Sequence, residues 1–217
     1  MNDTIAGRRP LKSRQSRLAQ GFASWLSKRN ITPNQISVLS VVFALGSAVA
    51  LVGREFWPAY EIWLLVAAAL GIQLRLLCNL MDGLVAVEGG KKTAAGEMFN
   101  DIPDRFADVM TLVAAGYAAS GVMFAVELAW LAGILAVMTA YVRTLSTSLG
   151  LAADFRGPMA KQHRMATMTL AILLSLLEPL FGLHGEVLAA ALLLIVVGSL
   201  ITVWRRIVFT YRSLESA

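Results

Sequence analysis

The chain has 217 residues, of which 57% are hydrophobic and only 15% charged, with a formal net charge of +5. That balance is too apolar for a soluble domain of this size and excludes a charge-rich disordered chain. A single cysteine, Cys78, excludes an internal disulfide framework.

Taken in chain order, residues 11–29 place Leu11, Leu18, Phe22, Trp25 and Leu26 at helical offsets among Lys12, Arg14, Arg17, Lys28 and Arg29. This pattern predicts a basic amphipathic helix lying in a membrane interface. The polar, basic N-terminal stretch has no cleavable signal-peptide pattern. In "ITPNQIS", Thr32 can serve as N-cap, Pro33 suits the first helical position, and Gln35 completes a capping box. A sharp entry into a first span follows.

Six apolar runs, roughly 36–53, 59–86, 96–119, 122–149, 164–183 and 187–208, approach or exceed the length that crosses the bilayer, about 20 residues for about 30 Å of hydrocarbon. The fold class expected is all-α. An N-terminal segment, 1–35, carries the amphipathic helix, and a polytopic domain of six transmembrane helices covers 36–217. Helices also satisfy every backbone hydrogen bond in lipid. Gly89-Gly90-Lys91-Lys92 and Gly157-Pro158 mark turns.

Charge sets the expected orientation. Arg8, Arg9, Lys12, Arg14, Arg17, Lys28 and Arg29 precede the first span, and Lys91 and Lys92 lie between the second and third. Arg156, Lys161 and Arg164 lie between the fourth and fifth, and Arg212 follows the sixth, whereas the opposite loops hold only Arg54. The positive-inside rule then puts both termini and the second and fourth loops on the cytoplasmic side, with a bacterial cytoplasmic membrane the expected location. Basic residues there attract anionic headgroups, so no nucleic-acid partner is needed to explain the charge.

Two polar sets interrupt the apolar runs. Asn79 and Asp82 are three residues apart and Asn100 and Asp104 four, so each pair shares a helical face, and Asp101 adjoins the second pair. Spans two and three are joined by a short turn, which makes them antiparallel neighbours with both sets near the cytoplasmic end. Asp and Asn within a span are costly and point to function. Oxygen donors without His or Cys suit a hard cation such as Mg²⁺, Mn²⁺ or Ca²⁺. Gly83 and Gly96 let backbone or ligand approach closely beside them. Farther in, Arg75 and Asp108 lie at matched depth, which predicts a buried ion pair bracing the two helices.

The segment "NLMDGLVAVEGGKKTAAGEMFNDIPD" resembles the signature of the CDP-alcohol phosphotransferases, Asp-x-x-Asp-Gly-x-x-Ala-Arg, eight residues, then Gly-x-x-x-Asp-x-x-x-Asp. Asp82, Gly83, Ala86, Gly96 and Asp104 match in identity and register, while Asn79, Asn100 and Val87 replace two aspartates and the arginine. The six spans and the "ITPN" lead-in extend the resemblance over most of the chain. It implies a homodimeric enzyme of phospholipid synthesis. Such an enzyme moves a phosphatidyl group from a CDP-activated lipid, with CDP-diacylglycerol expected, to an alcohol or phospho-alcohol, releasing CMP with the help of one or two Mg²⁺ or Mn²⁺ ions. Carried over by position, Asp82 is a metal ligand and Asp104 is the general base and a possible ligand. Asn79 and Asn100 could ligate only through amide oxygens, and Asp101 could replace a lost carboxylate. Asp82, Gly83, Ala86 and Gly96 would receive the nucleotide.

Lys91 or Lys92 could compensate for the arginine missing at Val87, or be ordinary turn lysines. Arg143, inside span four, together with Lys161 and Arg164, is the candidate set for the acceptor's phosphate, with a structural ion pair the alternative for Arg143. His163 reads as a solvated turn residue. Two other classes stay open. One is a catalytically impaired family member that binds nucleotide or lipid. The other is a small transporter, against which the off-centre polar groups and the lack of paired broken helices argue.

Overall fold

The computed structural model describes residues 16–91 and 93–216. The expectations placed on Arg8, Arg9, Leu11, Lys12, Arg14 and Lys92 lie outside the described residues. Among the described residues the chain is helical, without strands: α1 (Arg17–Lys28), α2 (Pro33–Phe56), α3 (Glu61–Glu88), α4 (Gly96–Tyr117), α5 (Ala125–Ser148), α6 (Lys161–Ser175) and α7 (Glu186–Glu215). Two 3-10 turns, Pro58–Tyr60 and Glu178–Phe181, lead into α3 and follow α6.

Among the described residues four helices are long and apolar enough to cross a membrane: α2, α3 with its leading turn, α5 and α7. The other two expected spans also form helices, but for different reasons neither stands with those four. In α4, Glu97, Asp101, Asp104, Arg105 and Asp108 crowd the sequence with charge. The run expected over 164–183 is helical only to Ser175, so α6 has 15 residues, about 22 Å at 1.5 Å per residue. Its continuation gives way to the 3-10 turn, where Pro179 cannot donate to a helix. There Glu178 Oε1 accepts from the N–H groups of Gly185 (3.1 Å) and Val187 (2.8 Å). A buried carboxylate thereby caps the start of α7 instead of extending α6.

The chain divides into two compact units, one ending at Thr111 and one running on from Leu112, so that α4 begins in the first and ends in the second. In the first unit α3 packs along α2 and also carries α1. The expected capping box opens α2: Thr32 Oγ1 accepts from Gln35 N at 3.3 Å, and Gln35 Oε1 accepts from Thr32 N at 2.9 Å, with Pro33 in the first turn. Ala23, Leu26, Ile36, Cys78, Met81, Leu84 and Val85 form one buried apolar cluster joining α1, α2 and α3. Leu26 therefore faces protein, while Leu18, Phe22 and Trp25 of the expected apolar stripe stay exposed. In the second unit α7 packs against both α5 and α6.

The α2–α3 contact is tight at Gly71, where an added Cβ would lie 2.9 Å from both the Phe43 carbonyl oxygen and Ser47 Cβ. Backbone cannot yield as a flexible side chain does, so Gly71→Ala should destabilise the protein by about 1–3 kcal/mol. A thermal melt in detergent, with Gly46→Ala as the control because nothing lies within 4 Å of a Cβ there, checks this.

Candidate active site

The polar sets of α3 and α4 meet inside the first unit. Asn79 Nδ2 donates to Asp104 Oδ1 at 2.9 Å, across the two helices and 25 residues of chain. Both side chains come from the end of the unit where α3 finishes and α4 begins. Pro103 sits inside α4, where it removes the N–H that would otherwise bond the Phe99 carbonyl. That opens the helical ladder one residue before Asp104.

Arg75, one turn before Asn79 on α3, has no exposed surface. Its Nη2 donates to Asp108 Oδ1, the ion pair expected from the matched depths. The same nitrogen lies 3.3 Å from the Asp104 carbonyl oxygen and 3.5 Å from Asp104 Oδ1. Asp104 thus receives an amide and a guanidinium on one carboxylate oxygen. Its other oxygen, Oδ2, is 4.0 Å from Arg105 Nη2, and Arg105 also pairs with Asp101 Oδ1 at 3.2 Å, one turn back along α4.

Asp82 is buried, and its Oδ2 accepts from the Ser37 hydroxyl at 2.7 Å. Ser37 lies near the start of α2, so the positive end of that helix faces the carboxylate. Gly83 is buried beside it, whereas Asn79, Ala86, Gly96 and Asn100 are each part-exposed. A Cβ at Gly96 would meet only Thr93 Oγ1, at an ordinary 3.4 Å. Protein packing therefore does not demand the glycine. Among the described residues no three His, Cys, Asp or Glu side chains gather as a metal would need. The donors at hand are two carboxylates, Asp82 and Asp104, the second bonded by the amide nitrogen of Asn79. That set fits one hard cation better than two.

Sequence reasoning missed Ser37, Arg105 and the reach of Arg75 to Asp104. The Asp101–Arg105 spacing, four residues on a helix, was a readable signal for one of them. Lys91 is drawn elsewhere: its Nζ donates to the Ser27 carbonyl at 2.8 Å, at the C-terminal end of α1, where a cation complements the helix dipole.

The basic candidates belong to the second unit. Arg143 lies 6.0 Å from the Phe155 ring, and Lys161 is the first residue of α6. Arg164 is buried, and its Nη1 donates to Thr139 Oγ1 (3.1 Å) and to the Met159 carbonyl (3.0 Å). Arg206, which sequence reasoning did not single out, donates from Nε to the Arg156 carbonyl at 3.0 Å and from Nη1 to the Thr139 carbonyl.

Carboxylates, an amide and two guanidinium groups thus meet between α3 and α4 of a protein with membrane-length apolar helices. No family model matches the chain. An archaetidylinositol phosphate synthase of Aeropyrum pernix is 31% identical over 195 residues, covering 90% of this chain and 91% of that protein. A phosphatidylinositol phosphate synthase of Streptomyces avermitilis is 28% identical over 93% of this chain and 80% of its own. The fold is shared with the crystal structure of Mycobacterium tuberculosis phosphatidylinositol phosphate synthase in complex with manganese and citrate (TM-score 0.73, 19% identity, 89% of this chain and 88% of that one). The chain belongs to the CDP-alcohol phosphotransferase family.

Breaking a buried ion pair strands a charge and costs about 3–5 kcal/mol. Asp108→Ala should therefore lower the yield and melting temperature of the folded protein, and adding Arg75→Ala should recover part of the loss. A double-mutant cycle on thermal melts checks this. Additive losses would mean that the two side chains do not stabilise the fold as a pair.

Proposed function

We infer that this protein transfers a phosphatidyl group from CDP-diacylglycerol to the hydroxyl of an alcohol acceptor and releases CMP, with a divalent cation, Mg²⁺ or Mn²⁺, as cofactor. The observation that carries this reading is the meeting of Asn79 and Asp104 across α3 and α4, with Asp82 one turn further along α3. Family membership supports the reaction class. The M. tuberculosis neighbour, whose structures include one with CDP-DAG bound and one in complex with manganese, supports the donor and the cation.

The residues divide the work by chemistry. The acceptor oxygen attacks the β-phosphorus, the bond to the bridging oxygen breaks, and CMP leaves with that electron pair. Asp104 is placed to accept the hydroxyl proton, since one of its oxygens is already fixed by Asn79 and Arg75. A bound divalent cation would neutralise charge on the pyrophosphate. Asp82 and Asp104, with Asn79, Asn100 and Asp101, are the side chains that would hold it. The backbone at Gly83, Ala86 and Gly96 gives the nucleotide room. A groove of about 350 Å³ lined by Ser16, Leu18, Ala19, Phe22, Leu77, Leu80 and Met81 is apolar enough for a lipid chain beside the α3 end of the site.

Arg143, Lys161 and Arg164 are assigned to the acceptor's phosphate or headgroup. In the membrane we place α2–α7 as six spans, with α1 in the interface through its exposed Leu18, Phe22 and Trp25. Both termini and the active site face the cytoplasm of the bacterial cell, and the working unit is a homodimer.

Purified protein given CDP-diacylglycerol, Mn²⁺ and a panel of alcohols, including inositol phosphate, glycerol phosphate and serine, should release CMP with at least one of them. Asp82→Ala and Asp104→Ala should each lower the rate by about 10²-fold or more. Activity that survives both substitutions would place the chemistry elsewhere.

A further inference from the structure

The donor in the transferase reading carries a pyrophosphate, whose negative charge is met partly by a bound metal and partly by the chain's own cations. Among the described residues, α3, α4 and the turn between them carry three such side chains: Arg75, Lys91 and Arg105. The position where the signature has an arginine is Val87, 41% exposed and without a polar group. Arg75 has no exposed surface and is committed to Asp108 and to the Asp104 carbonyl. Lys91 is drawn away to the Ser27 carbonyl at the end of α1. Arg105 is held differently.

Its Nε donates to the Asp101 carbonyl and its Nη2 to Asp101 Oδ1, each at 3.2 Å, one turn back on its own helix. The Asp101 side chain is 46% exposed and that of Arg105 20%, so solvent screens this pair and it does little to fix the guanidinium. The same Nη2 is 4.0 Å from Asp104 Oδ2. In the transferase reading Oδ2 is the oxygen for the acceptor's proton, because Oδ1 accepts from Asn79 Nδ2 at 2.9 Å and lies 3.5 Å from Arg75 Nη2. A hydroxyl bonded to Oδ2 would lie about 2.6–3.2 Å from it. The phosphorus that this hydroxyl attacks would lie about 3–3.5 Å further on. The phosphoryl oxygens then fall within a side-chain rotation of the Arg105 fork. A guanidinium matches two phosphate oxygens at once, and a pyrophosphate carries more charge than the one carboxylate that the fork would leave.

Building on the transferase reading above, we propose that Arg105 receives the pyrophosphate of the donor: its fork leaves Asp101 and closes on phosphate oxygens beside Asp104. There it offsets the charge that builds on the bridging oxygen as CMP departs. The Asp101–Arg105 pair is then a resting contact, where the guanidinium stays while no donor is bound, and not a brace of the helix.

Isothermal titration of the full-length protein in lipid nanodiscs, with EDTA so that no metal contributes, tests this with two soluble probes, CDP and cytidine. The wild type is expected to bind CDP more tightly than cytidine. Arg105→Gln should weaken CDP binding by about tenfold or more and leave cytidine unchanged, and Arg105→Lys, which keeps the charge but loses the fork, should fall between. Asp101→Asn breaks the same pair but spares the guanidinium, so in EDTA it should bind CDP at least as well as the wild type. Thermal melts check that each variant is folded. CDP affinity that stays unchanged in Arg105→Gln, or that falls equally in Asp101→Asn, would overturn the proposal, as would a wild type that does not distinguish the two probes. CMP release from CDP-diacylglycerol with Mn²⁺, measured on the same samples, separates this inference from the reading it rests on. Turnover that Arg105→Gln leaves intact would sink the role of Arg105 and leave the transferase standing. Arg105-dependent CDP binding without CMP release from any alcohol in the panel would sink the transferase reading and leave the phosphate contact.

Discussion

A guanidinium with no exposed surface among apolar helices must be met by oxygen, and the way Arg75 is met sets the site. It reaches across from α3 to Asp108 and, with the same nitrogen, to the carbonyl and carboxylate of Asp104. Arg75 lies one turn before Asn79, and Asp108 one turn after Asp104. Closing the outer pair therefore brings the inner pair into register, and the Asn79–Asp104 hydrogen bond follows. Separating the two helices would leave charges in an apolar surround that cannot solvate them, so this register is far more strongly specified than apolar packing alone would make it.

The remaining support comes from helix ends. The capping box at Thr32 fixes where α2 starts, and Ser37 sits little more than one turn further on, against Asp82. The apolar cluster of Ile36, Cys78, Met81 and Val85 lies at the same level, so packing and hydrogen bonding act on the same turns of α2 and α3. α4 begins at Gly96, one turn before Asn100, which puts a second helix N-terminus at this end of the unit. Exposed N–H groups there favour an anion such as a pyrophosphate, while carboxylates a turn deeper favour a cation. A charged, phosphate-bearing headgroup needs both.

Much of this was legible in the sequence because it rests on spacing. The capping box is a local pattern, and the paired depths of Arg75 and Asp108 follow from counting along two antiparallel helices. What was not legible depends on how the helices roll and where they stop. Spacing places Arg75 at the depth of Asp108 but does not show that its nitrogen also reaches Asp104. Ser37 is one of several serines in an apolar run until α2 turns it toward Asp82. Hydropathy carried α6 on to residue 183, whereas Glu178 is recruited by the free N–H groups of Gly185 and Val187, a demand set by the start of α7. Lys91 likewise goes to the C-terminal end of α1, a neighbour that its own sequence context does not announce.

Among the described residues the buried arginines Arg54, Arg75, Arg164 and Arg206 reach partners of more than one kind. Arg75 and Arg54 are met by carboxylates, Arg54 by Glu61 at 2.6 Å. Arg164 and Arg206 reach backbone carbonyls and a threonine hydroxyl, tying α5, α7 and the segment before α6 together. Hydrogen bonds to carbonyls leave a guanidinium's positive charge in place. An arginine satisfied by carboxylates subtracts negative charge from the place where it sits. Arg75 does so beside Asp104, whose carboxylate oxygen lies 3.5 Å from its Nη2.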